Sequence, residues 1–434
     1  MNQDILITNV VALSSPDSNN PLPSAFIAIK DGLISEIGPM DQLGEHKAST
    51  IINGENQLAM PGLVNTHCHA PMTLFRGYAD DLQLMEWLNE NIFPAEAKNV
   101  NPDMVYWCTK LAAAEMILSG TTMVADAYFH EHDAARAFCE IGLRAVVSHG
   151  VIDFPAPGVP DPSRNIEAVE TFIDYWTDRD PLITPAVFAH SPYTCSPTTL
   201  QKAKELSRAK GLKFFIHAAE TEHEASIMIE PKGDSPIRHL AALGILDDDT
   251  VCIHCVWLDK EDLHILAQSG AGVSTCPQSN LKLASGMAPL AQMLSLGIPL
   301  GLGTDGPASN NTLDMFREMD ICAKIHKIRE KNPVAVPAKT ILKLATTEGK
   351  KLLAGNNAIT GLKVGAPADL ILITLNSPHL QPFYHPDLLC YSPCGAEVNS
   401  SIINGRLVMH QRKLLTIDLA ETTNRVRELA TKLQ

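Results

Sequence analysis

Through the middle of the chain, short apolar runs stop at a polar cluster and are followed by a stretch with helical spacing of its apolar residues. The pattern occurs eight times, as GLVNTHCH, TTMVADAY, RAVVSHGV, TPAVFAHS, KFFIHAAE, TVCIHCVW, AGVSTCPQ and IPLGLGTDG. Helical segments such as Met104 to Leu118 and Pro197 to Lys210 separate the runs. Strands alternating with helices imply a parallel sheet, and eight such units predict an α/β fold closed into a (β/α)8 TIM-like barrel. An open doubly wound sheet is the alternative. It would want a glycine-rich phosphate turn after the first strand, where this chain carries two histidines.

Both chain ends have a different texture. ILITNVVAL and AFIAIKDGLISEIG read as strands, the second split by a Lys30-Asp31-Gly32 turn, and the segment closes at Pro61-Gly62. Near the C-terminus ADLILITL and SSIINGRLVMHQRKLLTI read as strands before a charged terminal helix. Neither end has enough strands for a stable sheet alone, so the two are expected to combine. The predicted organisation is a composite β-sandwich from residues 1–60 and 362–434 and a barrel from 61–361. A proline-rich loop, DFPAPGVPDPS at Asp153 to Ser163, is long enough for a lid or a subunit contact.

Composition narrows the function. The 434 residues are 45% hydrophobic and 19% charged, the balance of a globular protein with a large core. A net charge of −15 repels polyanions and argues against nucleic acid or anionic membrane as a partner. No basic segment leading into an apolar one opens the chain, and no apolar run reaches the roughly 18 residues of a membrane helix, so a cytoplasmic location is expected. The ten cysteines then read as reduced thiols. Cys252 and Cys255 would point to opposite faces of a strand and lack a second pair at zinc-ribbon spacing.

In a barrel the active site forms at the C-terminal strand ends, so the residues there carry the argument. The first run ends Thr66-His67-Cys68-His69, the fourth at His190, the fifth at His217 with Glu220 three later, the sixth at His254 and the eighth at Asp305. His67 and His69 stand two apart on a strand and share a face, the spacing a metal needs from a strand. One histidine beside an apolar run is ordinarily a hydrogen-bonded structural residue. Five strand ends with ligand-type residues instead predict a metal centre of three histidines and an aspartate. His130, His132, His223, His239 and His264 are read as solvated or helix-surface residues.

PGLVNTHCHAP, HSPYTCS, HAAET, HCVWL and GTDGPASNN resemble the amidohydrolase superfamily. With APMTLFRGYADDLQLMEWL after the first motif, the chain is similar to the methylthioadenosine/S-adenosylhomocysteine deaminases from about residue 55 to 350. The resemblance implies one zinc ion held by His67, His69, His217 and Asp305, an acid/base role for Glu220, and a water-orienting role for His254. It places Glu96 and His190 on the ribose hydroxyls and Trp87 in the pocket wall. Binuclear relatives carry a carboxylated lysine on the fourth strand, where this chain has His190, so one metal is expected. Where homocysteine-binding members place an arginine after the third strand, this chain has His149, with Arg164 as the second basic residue. That weaker pair points to methylthioadenosine ahead of S-adenosylhomocysteine, because arginine offers a permanent two-donor fork and histidine does not. Homo-oligomers are common in the family and are expected here on that ground.

The chemistry is consistent with these residues. Displacing ammonia from an aromatic amidine carbon needs a strong nucleophile, and zinc lowers the pKa of a water to about 7. The adjacent ring nitrogen must gain a proton as the bond forms, a task for Glu220. Asp305 can accept the water proton, and His254 can hydrogen-bond the nucleophile and the departing amine. Phe75, Trp87 and Tyr193 are candidate purine or thioether contacts, with core packing as the ordinary alternative. Arg76 and Asp80 are read as structural charges. The rival functions are a mononuclear amino- or chlorohydrolase of triazines, guanine or pterins, and a catalytically inactive hydrolase-like scaffold.

Overall fold

A computed structural model describes residues 2–18, 20–228 and 233–433. Two sheets organise it. The first five strands are β1 (Asn2–Ala12), β2 (Leu22–Lys30), β3 (Leu33–Pro39), β4 (Lys47–Asn53) and β5 (Gln57–Pro61). Eight parallel strands follow: β6 (Leu63–Cys68), β7 (Thr121–Tyr128), β8 (Arg144–Val151), β9 (Ile183–Ala189), β10 (Phe214–Ala218), β11 (Thr250–His254), β12 (Gly272–Thr275) and β13 (Leu300–Leu302). The last four are β14 (Leu370–Thr374), β15 (Val398–Ile403), β16 (Arg406–His410) and β17 (Lys413–Leu414).

Strands β6 to β13 pair in sequential order, each parallel to the next, and the eight runs of the sequence are these strands. The ring closes where the Asp305 amide donates to the His67 carbonyl at 3.0 Å. Closure needs glycine: a Cβ on Gly303 would stand 2.8 Å from the His67 amide nitrogen, and one on Gly301 would stand 2.5 Å from Thr66 Cγ2. The doubly wound alternative is thereby excluded. Alternation along β7 sends Met123, Ala125 and Ala127 into the barrel interior, while Val124 and Tyr128 join the layer between strands and helices. Burial on both faces explains why these strands read as continuous apolar runs.

Helix boundaries follow local chemistry. Pro197–Lys210 starts at Ser196, whose hydroxyl accepts from the Thr199 amide, has proline at its first turn and stops at Gly211 with φ +65°. Pro102–Leu118 is capped in the same way by Asn101, which accepts from the Met104 amide at 3.1 Å.

The chain ends do combine. They form a single nine-stranded sheet in the order β17-β16-β15-β14-β5-β1-β2-β3, with β4 on β1. The sheet curls over a core of its own that includes Ile7, Ile27, Ile29, Leu370, Leu372 and Ile402. The Asp31-Gly32 turn meets the Asn404-Gly405 turn, where a Cβ on Gly405 would come within 2.6 Å of Gly32 Cα.

Candidate active site

The histidines predicted to converge do so at the C-terminal mouth of the barrel. His67 Nε2 lies 3.2 Å from His217 Nε2 and 3.4 Å from Asp305 Oδ1, and His69 Nε2 lies 3.4 Å from the same oxygen. Donors around a four-coordinate zinc at about 2.0 to 2.1 Å are roughly 3.3 Å apart, so this set fits such an ion. The tautomers fit as well. His69 Nδ1 is 2.5 Å from the Ala127 carbonyl, which takes the ring proton there and leaves Nε2 its lone pair. Burial drives the His67 imidazole down to about 4 and lowers His69 and His217 too, so the rings are neutral and able to ligate. Burial alone would raise the Asp305 carboxyl, but its hydrogen bond to His67 and the neighbouring imidazoles hold it well below the usual range.

Several strand ends adopt left-handed backbone at non-glycine residues: Ala219, His254, Cys255 and Asp305 have φ of 54°, 72°, 48° and 62°. Such conformations are costly and collect at functional sites, where they turn a side chain inward as the strand stops. Cys255 lies one residue past β11, in a turn where its amide donates to the Ala218 and Ile253 carbonyls, so it does not share a strand with Cys252 as expected. All ten cysteines are free thiols.

Glu220 stands beside the cluster, with one carboxylate oxygen 3.7 Å from His254 Nε2. Its backbone amide donates to Glu224 at 2.8 Å, which fixes the turn after β10. Burial raises its carboxyl to about 8, helped by the Asp305 charge. A cavity of about 290 Å³ opens in front of the cluster. Its lining includes the apolar side chains of Leu84, Trp87, Leu88, Ile92, Phe93 and Phe154, and Glu96 as well. No lysine or arginine is among the described residues that line it. Burial pushes the Glu96 carboxyl up to about 7 against the opposing hydrogen bond from Tyr128, whose hydroxyl donates at 2.5 Å. His190 and Tyr193 complete one side, with His190 Nδ1 at 2.9 Å from the Thr194 hydroxyl.

A family model described as the amidohydrolase family matches residues 58–408. The chain belongs to the amidohydrolase family. It is 44% identical over 430 residues, 98% of each chain, to the 5-methylthioadenosine/S-adenosylhomocysteine deaminase of Syntrophobacter fumaroxidans. It is 40% identical to the 5'-deoxyadenosine deaminase of Methanosarcina acetivorans, covering 99% of this chain and 98% of that one. The crystal structure of an adenosine deaminase from Xanthomonas campestris with bound zinc superimposes with a TM-score of 0.95 at 33% identity, covering 100% and 99% of the two chains. The three-histidine cluster of this amidohydrolase has the donor set and the spacing to hold a divalent metal ion. Among its described residues no helix is long and apolar enough to cross a membrane.

Two residues expected in the substrate site lie outside the cavity lining of this amidohydrolase. His149 is buried on the outer face of β8 against Phe172, with neither ring nitrogen hydrogen-bonded, because alternation sends its neighbour Gly150 inward instead. Arg164 is 65% exposed and pairs with Glu167 at 2.6 Å. Phe75 packs in the core, away from the lining. His132, His223 and His264 are exposed as expected, whereas His130 is half-buried beneath Gly158 and His239 is buried.

Other residues escaped the sequence reading. Ser279 and Ser309 hydroxyls donate to Asp305 Oδ2 at 2.6 and 2.8 Å, and Asn280 Nδ2 lies 3.0 Å from His254 Nδ1. Buried Asp126 accepts from the Ala70 amide at 2.6 Å and so holds the backbone just past His69. The signal was the Pro277-Gln278-Ser279-Asn280 cluster that straddles the end of the seventh run, which has no histidine to draw attention to it.

Proposed function

We propose that this amidohydrolase hydrolytically deaminates an adenine nucleoside carrying an apolar 5' group, 5'-methylthioadenosine first, releasing ammonia and 5'-methylthioinosine. The observation that carries the reading is one cavity with Glu220 and the histidine cluster in its lining together with Glu96 and apolar side chains. Such a cavity can hold a purine edge at one end and a ribose diol at the other. His67, His69, His217 and Asp305 would hold one zinc ion per subunit, and a bound zinc lowers the pKa of a water to about 7, making a nucleophile available at neutral pH. The barrel of residues 61–361 is then the catalytic unit, and residues 1–60 and 362–434 its support.

Glu220, protonated at neutral pH, donates to the purine ring nitrogen next to the reacting carbon, which removes aromatic resistance to addition. Asp305 accepts a proton from the nucleophile, and His254 hydrogen-bonds it. Glu96 accepts both hydrogens of the 2',3'-diol with the oxygen that Tyr128 leaves free and its own second lone pairs. His190 borders the same space, and Trp87 provides a flat apolar face for the base or sugar. A homocysteine tail would set an ammonium and a carboxylate against Phe93 and Phe154 with no counter-ion among the described lining residues, which favours a methylthio group. We also infer a homo-oligomer, on family grounds.

Ammonia release from methylthioadenosine, S-adenosylhomocysteine, adenosine, adenine and guanine, measured side by side on zinc-loaded and chelated protein, tests the reading. Methylthioadenosine is expected to have the highest kcat/KM. Activity confined to free bases would replace the proposal with the triazine and guanine branch, and no bound metal with intact fold would mean a scaffold.

A further inference from the structure

The short helix Pro277–Lys282 touches the site twice. Ser279 donates to Asp305, and Asn280 reaches His254, 26 residues earlier in the chain. The helix itself is tightly held. The Glu318 carboxylate, fully buried, accepts from the Gln278 side chain at 2.6 Å and from the Gln278 backbone amide at 3.3 Å, and it also binds the Asn310 amide. The Asn280 carbonyl accepts from the Ser285 amide at 2.8 Å. Asn280 is 1% exposed, so its amide has little freedom to turn away from its partner.

The contact between Asn280 and His254 is directional. An amide nitrogen has N–H donors and no acceptor, so Asn280 Nδ2 must give a hydrogen to His254 Nδ1, which must then present its lone pair. In a neutral imidazole the single ring proton is then on Nε2. That nitrogen is the one 3.7 Å from Glu220, and the ring lies nearly parallel to His217 with centroids 5.3 Å apart.

We propose that Asn280 is a positioning residue that keeps the His254 proton on Nε2, so that this histidine faces the cavity as a hydrogen-bond donor. The consequence for the reaction rests on the role given to His254 above. A donor on that side stabilises the oxygen that adds to the purine, and it cannot serve as the base that deprotonates it. Proton transfer to and from the substrate then belongs to Glu220 and Asp305 alone. The nitrogen of His254 that meets Asn280 contributes no chemistry of its own.

Histidine-selective 15N NMR of the zinc-loaded enzyme reads the proton position directly, with His254→Ala identifying the signal by its disappearance. A proton on Nε2 is expected, and one on Nδ1 overturns the proposal without touching the assigned reaction. A double-mutant cycle gives a second readout. Asn280→Leu is expected to lower kcat roughly 10- to 100-fold with zinc content unchanged, the usual cost of losing a partner that orients a site residue. In a His254→Ala background the same change should cost less than about twofold, because its effect passes through His254. An equal loss in both backgrounds would show that Asn280 supports the loop alone. If His254→Ala turns over like the unmodified enzyme, the role of His254 falls, and the NMR result decides the proposal by itself.

Discussion

Glu220 and Glu96 are both buried carboxyls raised to the neutral range, and the proposed reaction gives them different tasks. Burial and the Asp305 charge hold Glu220 near 8, so it carries a proton to give. Glu220→Gln is expected to retain metal and to lose kcat by about 100- to 10,000-fold, the range of a general acid; a near-normal kcat in an ammonia-release assay would remove this residue from the mechanism. Glu96 is held near 7, balanced between burial and the Tyr128 hydroxyl. On the proposed diol-binding role, kcat/KM for nucleosides should fall as pH drops through about 7, where protonation removes an acceptor. Glu96→Gln should cost about 10- to 100-fold on methylthioadenosine and little on adenine, since only the nucleoside leaves a polar group unpaired. Equal losses on both substrates would refute diol binding. Arg164 is the opposite case. With 65% of its side chain exposed and a partner one helical turn away, Arg164→Ala should leave kcat/KM for methylthioadenosine within about twofold, and a loss above tenfold would return it to the site.

Among the elements, β6 and β13 are tightly constrained, because they close the ring and lead into His67, His69 and Asp305. Gly303 packs its backbone against His67, and an added Cβ would meet the His67 amide nitrogen at 2.8 Å and its Cβ at 3.0 Å. Neither is a flexible atom. Gly303→Ala is therefore expected to destabilise by about 1 to 3 kcal/mol, as overpacking does, and to weaken zinc binding by shifting His67. Thermal unfolding and metal titration check both effects; an unchanged Tm with full zinc occupancy would show that the strands have slack. The strand and helix spans were legible because alternation, proline and capping residues act over a few positions, as at Ser196 and Gly211. The six-residue helix Pro277–Lys282 was not, since so short a segment has no periodicity, and its partners come from β11, the turn after β13 and the helix Met315–Arg329.

At the scale of the whole molecule, Asp369 joins the two sheets at the closed end of the barrel. It accepts from Arg144 on β8 at 3.1 Å, from Lys350 at 3.1 Å and from the Asn404 amide beyond β15 at 2.8 Å. Burial would raise its carboxyl, but the two cations and these hydrogen bonds hold it below the ordinary value. A depressed carboxylate contributes stability that is present above its unfolded pKa and lost as pH falls through its folded one. Asp369→Asn should thus destabilise by about 3 kcal/mol at neutral pH, with the gap to the unmodified protein narrowing below about pH 4. A gap that does not vary with pH would mean that shape, and not charge, is what the position requires. The sequence by itself determined the alternation of strands and longer helices through the barrel and the shared face of His67 and His69, because periods of two and 3.6 residues are local properties. Tertiary structure alone decided that Gly150 and not His149 looks into the cavity, that Arg164 stays outside it, and that Asn280 meets His254. Those outcomes depend on strand register and ring closure, which are set by packing between residues far apart in the chain, and a one-residue difference in register reverses which side chain points inward.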